Sequence, residues 1–330
     1  MAKQSHPYAA GRISVMERGL LGKSGLDRLL ATQTVDEFYR ALAELGWGDA
    51  YSQSDVEKIA ANRIAEAYEF VRQNTPEPEV TDCFFIEYDV HNLKTLFKAK
   101  ALGENISFEL SPNGLIPREL LRACVENGNY HEIPIAELRE SAAKLEVILS
   151  SDIDPVKIDG ELDRAMYRFI NRRLAHSKTE AIKQYFSDKA DLVNILIALR
   201  VREMGRGADF AEPLLVEGGK LRADDVLKLV EHPELLSQIV AGKPYASQMI
   251  KGLKAYQSGS GLAFLEKLRE DYLLSIIRPH RYDPLSVLPV VGYLLARERE
   301  ATAVRLILSA RLSGFPSALL EERLREGYAN

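Results

Sequence analysis

The sequence predicts an all-α protein. Apolar residues recur at three-four spacing through most of the chain, helix start and stop signals punctuate them at short intervals, and one long helical segment returns 102 positions later with the same polar residues. No long alternating pattern of the kind that marks a half-buried strand competes with this reading.

Taken in order, helices are expected over Ser14 to Leu30, Val35 to Leu45, Ser54 to Arg72, Phe84 to Leu102 and Pro117 to Glu126, each with charges between its apolar positions. Thr34-Val35-Asp36-Glu37 and Ser54-Asp55-Val56-Glu57 place a hydroxyl three residues ahead of an acid. In that capping-box arrangement each side chain satisfies a backbone N–H that the first turn leaves without a partner. Stops are expected at Gly46 and Gly48, from Asn74 to Pro78, at Gly103, and at Gly205 with Gly207, residue types that end a helix or turn the chain.

The repeat is the most informative feature. Glu87 to Gly103 reappears as Lys189 to Gly205, so Asp89 matches Asp191, Asn92 matches Asn194, and two cations and a terminal glycine coincide as well. A weaker third echo runs from Tyr282-Asp283-Pro284 into Leu294 to Glu300, which resembles Leu199 to Glu203 but lacks the asparagine. Segments after Gly22, Gly114 and Gly219 each lead into an amphipathic run. Units of about 100 residues match ordinary domain size.

Length and composition bound the function. At 330 residues the chain exceeds what one hydrophobic core usually supports, so two or three packing units are expected. With 43 Lys and Arg against 48 Asp and Glu, the net charge of −5 gives no general attraction for nucleic acid, and any such site would have to be local. Cys83 and Cys124 have no paired spacing and no nearby histidine ligand, which disfavours a disulfide framework or zinc module and suits a reducing compartment. Met1 to Leu21 carries dispersed charges rather than the apolar run of a signal peptide, and is expected to stay in the mature chain. The longest uncharged apolar stretch, Pro284 to Ala296, is shorter than the roughly 20 residues that span a bilayer and contains Pro289, so no transmembrane segment is expected.

Catalytic and nucleotide-binding patterns fail on inspection. Gly22-Lys23-Ser24 ends like a phosphate-binding loop, but Glu17 stands where its first glycine belongs; Gly219-Lys220 has Leu214 and Leu221 at the decisive places. Gly205-Arg206-Gly207 and Gly259-Ser260-Gly261 meet Phe210 and Phe264 where a dinucleotide fingerprint needs glycine. The six histidines show no metal-ligand spacing. No cofactor, no metal and no catalytic residue is therefore expected. Asp224-Asp225 reads as the start of a helix, and Arg168, Arg172 and Arg173 as a solvated helix face.

On a helical wheel Ile86, Val90, Leu93 and Phe97 form the apolar stripe of the first copy, with Asp89 and Asn92 at its edge and His91, Lys94 and Lys98 on another face. Leu192, Ile195 and Leu199 repeat the stripe, flanked by Asp191, Asn194 and Arg202. A carboxylate and an amide at the margin of an interior must be hydrogen-bonded, so these residues are expected to tie down backbone of a neighbouring helix rather than to catalyse.

The string Tyr88-Asp89-Val90-His91-Asn92-Leu93-Lys94 with Lys98-Ala99-Lys100, the opening Tyr8 to Ile13 with Glu17 and Leu20-Leu21, and Tyr293 to Glu298 with Arg305 to Leu308 strongly resemble the C subunits of prokaryotic V/A-type ATPases, equivalent to the eukaryotic d subunits. The resemblance spans about Tyr8 to Gly314. It implies a funnel-shaped assembly of three similar helical domains with pseudo-threefold symmetry. The expected boundaries are 1–110, 111–212 and 213–330, with the first and last helices of the first domain able to pack with the third. It further implies a non-catalytic component of the central stalk at the cytoplasmic face of the membrane, seated on the membrane rotor ring and receiving the shaft, with no bound nucleotide. Tyr88, Asp89, His91, Asn92, Lys94, Asp191 and Asn194 would be its structural motif. Lys94, Lys98, Arg200, Arg202, Arg297 and Arg299 would be candidate contacts to an acidic shaft tip. Pro284 and Pro289 depart from the first copy, whose helix has no proline at those places. The rival readings are a helical-repeat scaffold for an unrelated partner and an enzyme whose site is assembled from scattered residues.

Overall fold

A computed structural model of the chain describes residues 4–48, 55–103, 109–149, 154–314, 320, 324–325 and 327–328. Its regular elements are all helical: α1 (His6–Met16), α2 (Gly22–Ala31), α3 (Val35–Glu44), α4 (Val56–Asn74), α5 (Pro78–Leu102), α6 (Arg118–Asn127), α7 (Ala136–Leu149), α8 (Pro155–Leu174), α9 (Glu180–Glu203), α10 (Ala208–Ala211), α11 (Ala223–Glu231), α12 (Leu236–Ile239), α13 (Ala246–Ala255), α14 (Ala263–Ile277) and α15 (Leu288–Leu312). The protein is all-α, as its periodicity requires. The chain forms two compact units, Met1–Pro78 with Glu266–Asn330, and Glu79–Leu265.

In the central unit the two copies of the repeat touch one another at matching positions. The Phe84 and Phe186 rings lie 5.0 Å apart, and Lys189 donates to Glu87. Both pairs join residues 102 apart, so α5 and α9 run side by side in the same direction and register. Burial disfavours the Lys189 ammonium, but the Glu87 carboxylate overcomes it and the pKa is raised. Against α5, α8 runs antiparallel, joined by Arg173 to Asp82, Lys94 to Asp163 at 2.6 Å and Lys98 to Asp159 at 2.8 Å. Arg168 and Arg172 are likewise turned to partners on α7, donating to Ser141 and Glu137. The basic run expected to be a solvated face keeps Arg172 exposed, and each of its arginines also pairs with a neighbouring helix.

In the other unit α15 packs on α4, also antiparallel: Tyr68 donates to Glu298, Arg305 to Glu57 at 2.7 Å, and the Phe70 and Tyr293 rings meet at 6.3 Å. Pro289 does not break α15, because it sits in the first turn, where its missing N–H has no intrahelical acceptor to lose. From Leu288 the helix runs 25 residues, the length of α5. Leu285 is exposed, whereas Val287 to Val291 are buried core.

Three local expectations change. The helix expected over Ser14 to Leu30 is interrupted: α1 ends at Met16, Glu17–Gly19 is a 3₁₀ turn, Leu20 is extended and Gly22 has φ 58°, so two segments replace one. Thr34 and Glu37 form the expected capping box. The second box names Ser54, which lies outside the described residues; α4 is capped by Asp55, which accepts from the Glu57 N–H at 3.0 Å. The start of α5 falls at Pro78, six residues before the expected Phe84.

If Phe84 and Phe186 lock the two long helices in register, Phe186→Ala should destabilise the central unit by about 3–5 kcal/mol. The check is a lowered urea midpoint by far-UV circular dichroism; an unchanged midpoint would place the register lock elsewhere.

Candidate functional site

Asp89 and Asn92 are fully buried on α5 and face the loop that precedes α6. The Asp89 carboxylate accepts from the backbone N–H groups of Leu115 and Ile116 at 2.7 and 3.0 Å. Asn92 pairs with both polar backbone groups of Ser111, donating to its carbonyl at 2.8 Å and accepting from its N–H at 2.9 Å. On α9, Asp191 accepts from Lys220 and Leu221 N–H at 2.7 and 2.8 Å, and Asn194 pairs with Val216 at 2.9 and 2.8 Å. The Tyr245 hydroxyl completes Asp191 at 2.7 Å. A carboxylate can reach two successive amides only if the backbone comes very close, and glycine allows it: a Cβ on Gly114 or Gly219 would lie 2.1 or 2.2 Å from the aspartate Oδ1. The acid and the amide three residues on therefore anchor a loop to a long helix, the structural role expected from their wheel position, with loop backbone rather than helix backbone as the target.

A related anchor, missed at the sequence level, stands on α15. Glu300 accepts from the Gly22 N–H at 3.0 Å and from the Leu21 N–H, and pairs with Arg297 at 3.2 Å. It is the thirteenth residue of its helix, where Asp89 and Asp191 are the twelfth of theirs. The captured loop comes from the other end of the sequence, which is also why the expected Ser14 to Leu30 helix breaks: the Leu21 and Gly22 amides are turned toward Glu300. The third echo, set on Leu294 to Glu300 against Leu199 to Glu203, is thus out of register with this anchor. Gly19-Leu20-Leu21 resembles Gly114-Leu115-Ile116, but the amides held by Glu300 lie one position further on, at Leu21 and Gly22. Burial pushes the Glu300 carboxyl up to about 7, against the opposing pull of the two amides and Arg297.

Of the remaining motif residues, Tyr88 is half-buried and His91 stands at the outer edge of α5. Partial loss of solvent, then Lys94 and Lys98, holds the His91 imidazole below its ordinary pKa. The six candidate shaft contacts fall into distinct settings. Lys94 and Lys98 are committed to Asp163 and Asp159 on α8. Arg297 is 6 % exposed beside Glu300, and Arg299 pairs with Asp271 at 3.0 Å. Arg200 and Arg202 are exposed in the last turn of α9, and Arg202 donates to the Val230 and Glu231 carbonyls at 2.9 Å each. Among the described residues, no group of three or more His, Cys, Asp or Glu side chains is placed to hold a metal ion, and no helix is long and apolar enough to cross a membrane.

The sequence model of a family described as ATP synthase (C/AC39) subunit matches residues 9–323. The chain belongs to this family. Among C/AC39 relatives, it is 28 % identical to the C subunit of the A-type ATP synthase of Methanothermobacter thermautotrophicus, covering 96 % of this chain and 87 % of that one. It is 26 % identical to the C subunit of the A-type ATP synthase of Desulfurococcus sp., over 96 % and 90 % of the two chains. It is 23 % identical to the C subunit of the V-type sodium ATPase of Enterococcus hirae, over 98 % of each. The match takes in the buried anchors on all three long helices of this C/AC39 chain.

Two outcomes follow from the anchors. Gly114→Ala and Gly219→Ala should each lower stability by about 1–3 kcal/mol, because the new methyl displaces the carboxylate from its amides. Gly11→Ala, on a helix with open space beside it, should be neutral or stabilising by up to about 1 kcal/mol; thermal melts of the three variants provide the comparison. For Glu300, between pH 4.5 and about 7 the folded chain holds a proton that the unfolded chain has released. Stability should therefore fall as the pH rises through that window, by an amount on the order of 3 kcal/mol from this group. Glu300→Gln should flatten that part of the stability–pH curve; a slope identical to the parent's would refute the assignment.

Proposed function

We propose that this C/AC39 chain is a non-catalytic rotor component of a V/A-type rotary ATPase. It acts as a socket that joins the central shaft to the membrane rotor ring and passes torque between them, in ATP-driven ion transport or in ATP synthesis. Its place is peripheral, at the cytoplasmic face of the membrane. The architecture in this reading is three related helical domains, the third completed by the first helices of the chain.

The observation that carries the proposal is the use made of the polar motif within a chain of this family. Asp89, Asn92, Asp191 and Asn194 are buried, and their carboxylate and amide groups hold backbone. Buried, fully bonded polar groups rigidify a structure rather than await a substrate. A part that transmits torque must resist shear between its helices, and hydrogen-bonded clamps together with the ion pairs between α5 and α8 oppose such sliding. Among the cations suggested for the shaft, Arg200 and Arg202 suit that role, since they are exposed at one helix end while the other four are buried or half-buried. Exposed charge of this kind sets the rate and specificity of encounter more than affinity.

Affinity capture from membrane extract, with identification of what binds, tests the reading: shaft and ring chains of the ATPase should be recovered. Arg200→Glu with Arg202→Glu should reduce recovery of the shaft, more strongly at low salt. Capture of neither shaft nor ring would return the chain to the class of helical scaffolds.

A further inference from the structure

Within the central unit a cleft of about 430 Å³ opens between the ends of α7 and α8 on one side and α10 with its following turn on the other. Its character departs from that of the whole molecule. Although the chain carries a net charge of −5, the described residues that line the cleft include Lys144, Lys157, Arg164 and Arg206 with Glu161 and Asp209. Glu161 is already occupied: it is buried, pairs with Lys144 and accepts from the Ser141 hydroxyl at 2.8 Å. Among the described lining residues, Arg164 and Arg206 then outnumber the remaining carboxylate.

The two guanidinium groups are held in place by their surroundings. Arg164 donates through Nη1 to the Pro213 carbonyl at 3.2 Å, while its buried Nε–H has no acceptor. Arg206 lies over the Phe210 ring, 5.0 Å from the centroid, which orients the planar group without using its N–H donors. Beside them the lining is apolar, formed by Ile148 and Leu214. An inorganic anion would satisfy the arginines but leave that surface wet, in a space that holds the share of many waters at ~30 Å³ each. A ligand that offers carboxylates on either side of an apolar side chain fills both parts.

We propose that this cleft is a docking site for an acidic peptide segment of a partner protein, with an apolar side chain set against Ile148 and Leu214 and flanking carboxylates on Arg164 and Arg206. This goes beyond the rotor reading and stands whether or not that reading holds, since it names neither shaft nor ring.

The test uses the full chain and a fluorescein-labelled peptide of alternating glutamate and leucine, followed by fluorescence anisotropy. Saturable binding that weakens with salt is expected, as screening of exposed charge requires. Arg164→Gln with Arg206→Gln should weaken it about tenfold, and Arg206→Gln alone, at an exposed position, by a smaller factor. Arg222→Gln with Lys228→Gln, exposed cations elsewhere in the same unit, should leave it unchanged. The proposal fails if no saturable binding occurs at low salt, or if the control pair weakens binding as much. It fails equally if inorganic phosphate or a polyglutamate without leucine binds as tightly as the probe, since the apolar lining would then play no part.

Discussion

A buried carboxylate that reaches two successive backbone amides is the constraint on which the rest of this structure depends. An ionised acid taken out of water must recover its hydration from fixed donors, and the donors here are N–H groups that a helix ladder would otherwise use. Each long helix therefore dictates the path of a loop, and the loop sets where the next helix begins. Asp89 does this for the entry to α6, Asp191 for the approach to α11, and Glu300 for the start of α2. The glycines at 114 and 219 are needed for close approach and not for backbone conformation, since neither has positive φ. The glutamate on α15 obtains the same contact with a side chain one methylene longer, and its burial raises its pKa.

Several charges of the long helices are paired with a neighbouring helix. The cations that a wheel would place on exposed faces are drawn to acids on the neighbouring helix, so Lys94, Lys98 and Arg173 tie α5 to α8 rather than meeting solvent alone. Divergence between the copies contributes as well. Glu87 and Lys189 occupy the same place in the repeat, have opposite sign, and bind each other where α5 and α9 meet. Two identical residues there would repel or leave a polar group unpaired, so the change of sign is part of what lets the copies associate. The cleft beside α10 is a local exception, where among the described residues Arg164 and Arg206 face one carboxylate not already paired.

Legibility in the sequence is uneven. Helix content, the capping box at Thr34, and the pairing of Asp89 with Asn92 and Asp191 with Asn194 follow from periodicity and from the need of marginal polar groups for partners. Pro78 reads as a stop by residue type, yet it is the first residue of α5. Pro289 misleads for the same reason: a proline ends a helix from within but is harmless in its first turn. Glu300 and its partner segment cannot be found by comparing helices at one offset, because the contact joins residues 278 apart across the two ends of the chain.

By itself, then, the sequence determined which stretches coil, where several of them stop, and which polar residues must be buried and bonded, since all of these depend on neighbours within a few turns. Only the tertiary structure decided which amides those residues capture and which cations remain exposed. Those outcomes turn on distances between segments remote in sequence, and on whether an acid on a facing helix lies within reach of a given lysine or arginine, neither of which local pattern encodes.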